Sequence, residues 1–132
     1  MSRVFLGGTC NGSVWRDELI EKLNVSYFNP VVDDWNEEAQ LREEKEKDEA
    51  MYQLYVITPE MTGVLGIAEL VDSSNKMPKQ TLFCFIKDYG GCEFNERSWK
   101  SLQAVKKLAI KNGALYFNTL QDVANFLNVS ST

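Results

Sequence analysis

Histidine is absent from all 132 residues. That removes Ser-His-Asp and Cys-His hydrolases, HExxH metalloproteases and most catalytic zinc sites. Any acid–base work falls to carboxylates, tyrosine, lysine or cysteine. Cysteine is scarce as well: Cys10, Cys84 and Cys92 are odd in number and widely spaced, and fit neither a disulfide framework nor a zinc site. Cys84 sits in an apolar run and reads as a small buried hydrophobe. No apolar run approaches the roughly 18 residues needed to span a bilayer. Met1-Ser2-Arg3-Val4-Phe5-Leu6 is too short for a signal peptide and leads directly into a strand. A cytoplasmic protein with no membrane partner and no metal or other cofactor is therefore expected. A basic stripe is also missing, which argues against nucleic acid as a partner.

What is present is ordinary for a globular chain: 44% hydrophobic and 25% charged residues. The length suits a single domain over 1–132, large enough to bury a core without metals or disulfides. The net charge of -5 is concentrated at 37–49, where seven acids stand against three bases. That run reads as a solvated helix with i,i+4 pairs such as Glu38–Arg42 and Glu43–Lys47.

Strand and helix patterns alternate. Arg3 to Gly7 reads as a strand stopped by Gly7-Gly8, after which Asn11-Gly12-Ser13 offers a turn and an N-cap. Trp15, Leu19, Ile20 and Leu23 fall at helical spacing. Val25 to Phe28 is a short strand, Asn36 to Glu49 the polar helix, and Met51 to Ile57 a strand apolar enough to be covered on both faces. A helix from about Val64 to Ser74 precedes a strand from Thr81 to Ile86, and 87–95 reads as a loop. Glu96 to Asn112 is amphipathic, with Gly113 at its C-terminal end. Ala114 to Phe117 is a fifth strand, and Thr119 to Asp122 resembles a capping box opening the last helix. Five strands and five helices in alternation imply a doubly wound, three-layer α/β sandwich on a parallel sheet, with the flavodoxin-like order 2-1-3-4-5. Its switch point lies between the first and third strands, where ligands bind.

Three segments converge there. Gly7-Gly8-Thr9-Cys10-Asn11-Gly12-Ser13 could hold a phosphate, hydroxyl or carbonyl on backbone N–H groups, or be a tight turn and cap. It is no P-loop, because Ser13-Val14 stands where Lys-Ser/Thr is required. In Asn29-Pro30-Val31-Val32-Asp33-Asp34-Trp35, Trp35 could stack on a base or cover a sugar, and Asp33 or Asp34 could bind a ribose hydroxyl or protonate a leaving base. Equally, Asp34 or Asn36 could cap the acidic helix with Trp35 packed beside it. In the third segment, Glu69 is a lone carboxylate among Val64, Ile67, Ala68 and Val71. Such a group is a candidate nucleophile, or an exposed helix position.

These residues resemble the nucleoside 2-deoxyribosyltransferase-like superfamily. Val4-Phe5-Leu6-Gly7-Gly8 looks like its opening strand and glycine turn, and Asn29 to Trp35 like its second loop. Leu54-Tyr55-Val56-Ile57 with Gly63-Val64-Leu65-Gly66-Ile67-Ala68-Glu69 looks like its third strand and the helix bearing the catalytic Glu. The resemblance implies a flavodoxin-like homo-oligomer that binds a small-molecule nucleoside or nucleotide and cleaves or exchanges its N-glycosidic bond through a glycosyl ester. It implies that Glu69 attacks C1′, that Asp33 or Asp34 protonates the departing base, and that Gly7, Gly8 and Thr9 line the pocket. Trp15 and Trp35 would flank it, with Asn11, Thr62 and Gly63 also against substrate. Gly63 stands where the family commonly has an acid, and Glu69-Leu70-Val71-Asp72 replaces its Glu-Leu-Gly-Tyr-Ala. A non-catalytic nucleotide-binding module is the alternative.

Overall fold

β-Branched and aromatic segments form the strands, and the 3.6-periodic segments between them form the helices that cover them. A computed structural model describes residues 2–10, 12–32 and 36–130. The chain runs β1 (Val4–Gly8), α1 (Trp15–Lys22), β2 (Tyr27–Phe28), α2 (Glu37–Glu49), β3 (Tyr52–Ile57) and α3 (Leu65–Lys76). It continues through β4 (Thr81–Phe85), β5 (Asp88–Tyr89), β6 (Cys92–Glu93), α4 (Glu96–Asn112), β7 (Leu115–Tyr116) and α5 (Leu120–Ser130). β2-β1-β3-β4-β7 is a five-stranded, wholly parallel sheet. Counting only these five strands, the order is the flavodoxin-like 2-1-3-4-5 expected from the alternation.

The sheet separates two apolar layers. On one face Val4, Leu6, Leu54, Val56, Leu82 and Cys84 pack against Trp15 and Leu19 of α1 and Val123, Ala124 and Leu127 of α5. On the other, Tyr55, Ile57, Phe83 and Phe85 meet Leu70 of α3 and Leu102 and Ala109 of α4. Each fully buried large apolar side chain is worth about 1.5–3 kcal/mol relative to exposure. No helix among the described residues is long and apolar enough to cross a membrane.

Helix ends follow side-chain chemistry. Asn36 accepts from the Ala39 N–H at 2.8 Å, so the acidic helix is capped by Asn36. Thr119 accepts from the Asp122 N–H at 3.1 Å. Gly113 ends α4 at φ 111°, a conformation that disfavours any side chain. α1 departs from expectation: its cap position is Val14, with no side-chain cap, and the Ser13 hydroxyl donates instead to Glu60. The 87–95 stretch is not a plain loop. It folds into the antiparallel β5–β6 hairpin about Gly90-Gly91, both at positive φ.

Candidate active site

β1 and β3 are neighbours in the sheet, and the chain leaves their carboxyl ends in different directions. The crevice between is the switch point of the fold. It holds a cavity of about 230 Å³ lined by Gly7, Gly8, Thr9, Cys10, Arg16, Pro30, Glu43, Ile57, Met61, Thr62, Gly63, Leu65, Gly66, Ile67 and Glu69.

The floor is backbone. Gly8 has φ 114°, and a Cβ there would sit 2.0 Å from the Val56 carbonyl oxygen. Only glycine fits, for reasons both of conformation and of space. Gly66, in the first turn of α3, lies so close that a Cβ on it would come within 3.4 Å of the Gly8 Cα. The missing side chain at Gly8 lets β1 lie against β3, and that at Gly66 lets α3 approach the end of β1. Its first turn has no acid, and its cap position, Val64, offers no side-chain cap.

Beneath the floor the glycine loop is tied down. The Thr9 N–H donates to the Val56 carbonyl at 2.9 Å, and the Thr58 N–H donates to the Thr9 hydroxyl at 2.9 Å. Arg16 is almost wholly buried and its guanidinium donates to three carbonyls where β1 runs into the glycine loop: Leu6 at 3.0 Å, Thr9 at 2.7 Å and Gly8 at 3.4 Å. Burial pulls its pKa down, opposed by the neighbouring Cys10 and Glu43. Trp15 also serves the loop. Its indole N–H donates to the Thr9 carbonyl at 2.7 Å while its ring sits fully buried in the α1/α5 layer. It does not line the cavity, because its ring turns into the α1/α5 layer; Arg16, the next residue of α1, is the one that reaches the cavity wall.

The walls carry charge. Glu69 stands on α3, and its Oε2 accepts from the Lys47 ammonium of α2 at 2.9 Å. The two side chains are 25% and 26% exposed, so solvent screens the pair only in part. Burial lowers the Lys47 pKa, but the hydrogen bond to Glu69 and the proximity of the Tyr55 phenol outweigh it, and the net direction is upward. Glu43, one helical turn before Lys47, is pushed up by burial first and by the Glu69 charge second. Tyr55 lies below, its ring centroid 5.8 Å from the Lys47 ammonium, and burial raises its phenol. Lys47 thus reaches Glu69 on another helix rather than Glu43 on its own. Arg42, expected to pair with Glu38, lies over the Phe28 ring.

Of the residues expected at the site, Gly7, Gly8, Thr9, Thr62, Gly63 and Glu69 share this one cavity. Asn11, Asp33, Asp34 and Trp35 lie outside the described residues, although Pro30, from the same segment as the last three, is on the cavity wall. Arg16, Glu43 and Lys47 were not anticipated. Lys47 and Glu43 meet Glu69 on a helix 22 or more residues away in sequence, so no local pattern marks them.

A family model described as nucleoside 2-deoxyribosyltransferase like matches residues 1–89. No curated protein and no solved structure matches the chain. The matched segment contains every residue that lines the cavity. The chain belongs to the nucleoside 2-deoxyribosyltransferase-like family.

Proposed function

We propose that the protein acts on the N-glycosidic bond of a nucleoside or nucleotide, moving a deoxyribosyl group between bases or to water. The observation that carries this reading is the placement of Glu69. It is a carboxylate on a rigid helix, in a cavity at the switch point, within the segment that matches the family.

The chemistry needs two displacements. A Glu69 carboxylate oxygen forms a bond to C1′ as the C1′–N bond breaks, and the leaving base takes a proton from a nearby acid. Asp33 and Asp34 are the candidates for that acid, from the segment that brings Pro30 to the wall. An incoming base or water then attacks C1′, gives its proton to the same acid, and frees the Glu69 carboxylate. Splitting the reaction in this way requires only carboxylates, in keeping with a chain that has no histidine. Gly7, Gly8 and the first turn of α3 present a small-residue floor on which the sugar can lie close to Glu69. The resemblance further supports a homo-oligomer.

The test is incubation of purified protein with 2′-deoxynucleosides and their 5′-monophosphates, with and without a second free base, followed by chromatography. Release or exchange of base is expected. It should fall by at least about 10³-fold in Glu69→Ala while ligand affinity stays within about tenfold. An absence of reaction with every substrate, alongside ligand-induced stabilisation, would replace this reading with a nucleotide-binding module.

A further inference from the structure

α2 exposes most of its surface and buries no residue, yet its last two turns are fixed to the site. Gln53 of β3 is fully buried, and its amide donates to the main-chain carbonyl of Lys47 at 2.8 Å and to that of Ala50 at 3.1 Å. The strand therefore grips the Lys47 backbone, and the Lys47 ammonium grips Glu69. Tyr55, on the same face of β3 as Gln53, supports the lysine from below. This chain of contacts, strand to helix to helix, holds one oxygen of the carboxylate.

We infer that Lys47 is a positioning residue for Glu69. It occupies Oε2, leaves Oε1 outside that ion pair, and supplies the positive charge that lets Glu69 and Glu43 share one pocket. The inference rests on the reading of Glu69 as the nucleophile.

The charged and titratable groups that face this cluster come from each surrounding element. They are Glu43 and Lys47 of α2, Glu69 of α3, Tyr55 of β3, Arg16 of α1 and Cys10 of the glycine loop. Arg16 is committed to the carbonyls of Leu6 and Thr9, and Lys47 is the cation hydrogen-bonded to Glu69. Without it, two carboxylates would face each other in a partly dehydrated cavity, and the site would take up a proton at higher pH.

The experiment compares wild type, Glu69→Gln, Lys47→Met, Lys47→Arg and the exposed control Lys45→Met with whichever deoxynucleoside reacts. Lys47→Met should lower kcat by about 10- to 100-fold, as expected for a misplaced reacting group, with KM within about threefold. The acid limb of its rate profile should move up by about one pH unit. Adding Glu43→Gln to Lys47→Met should bring that limb back toward wild type. Lys47→Arg should recover kcat to within about fivefold, since one charged contact is retained, and Lys45→Met should match wild type. Circular dichroism establishes that each variant is folded; should Lys47→Met fail to fold, Lys47→Gln takes its place. If Glu69→Gln is inactive but the neutral Lys47 variant keeps wild-type kcat and pH profile, the inference falls and the nucleophile reading stands. If Glu69→Gln keeps wild-type activity, the nucleophile reading falls and takes this inference with it.

Discussion

β3 is buried on both faces, but the two faces hold different chemistry. Leu54 and Val56 point into the α1/α5 layer, where they pack against apolar side chains of both helices. Gln53 and Tyr55 point the other way, equally inaccessible to water, and carry an amide and a phenol into the interior. Burying polar groups costs free energy unless they are satisfied. Within β3 that cost falls on the face turned toward α2 and α3. One face of the strand holds the sheet together, and the other holds two helices in the relation that brings Lys47 to Glu69.

The comparison is broken most severely from the apolar side. Leu54→Ala leaves a cavity in a fully enclosed layer and should cost about 2–5 kcal/mol by urea denaturation. Its kcat, measured below the unfolding transition, should remain near wild type. A large loss of kcat in the folded variant would show that the two faces are not separable.

A smaller effect is expected across the strand. Gln53→Ala removes the amide that holds the last turn of α2 and should cost about 1–3 kcal/mol. Here amide exchange should accelerate selectively in α2. Unchanged α2 exchange would mean that the helix is held by something other than Gln53.

The smallest effect sharpens the electrostatic side of the comparison. Burial and the Glu69 charge place the folded-state pKa of Glu43 above its unfolded value of 4.5. The folded protein therefore binds that proton more tightly than the unfolded chain does, and ionised Glu43 opposes folding once the pH exceeds its folded pKa. Glu43→Gln should raise Tm at pH 7 by up to about 4 °C, with the gain vanishing as the pH falls below 4.5. A lower Tm at pH 7 would reverse the assigned sign.

The sheet order was legible because β1, β3 and β4 are nearly continuous apolar runs and the short β2 and β7 fall where the helix-separated succession calls for a strand. The β5–β6 hairpin was not, since two-residue strands carry no period; Gly90-Gly91, a two-residue turn pair, was the available signal. Glu69 could be singled out as a carboxylate in an apolar helix. The role of Trp15 was only half legible: its spacing with Leu19 gave a core position, but spacing does not say which side of the sheet a helix will take. Lys47 was the least legible. In sequence it sits four residues from Glu43 within a charge run, and the local rule pairs them. Its observed partner is on a different helix, and the buried amide that aims it belongs to a strand.

Gly8 and Gly66 leave the floor of the cavity no room for a larger residue at Gly8 and little at Gly66. That makes the floor a poor substrate for evolutionary tinkering. The rim is different: Thr62, Gly63 and Leu65 are exposed, and a side chain added at Gly63 would meet nothing within 4 Å. A lineage could therefore change which ligand it accepts by redrawing the rim alone, while the floor and the carboxylate beside it pass unaltered from one specificity to the next.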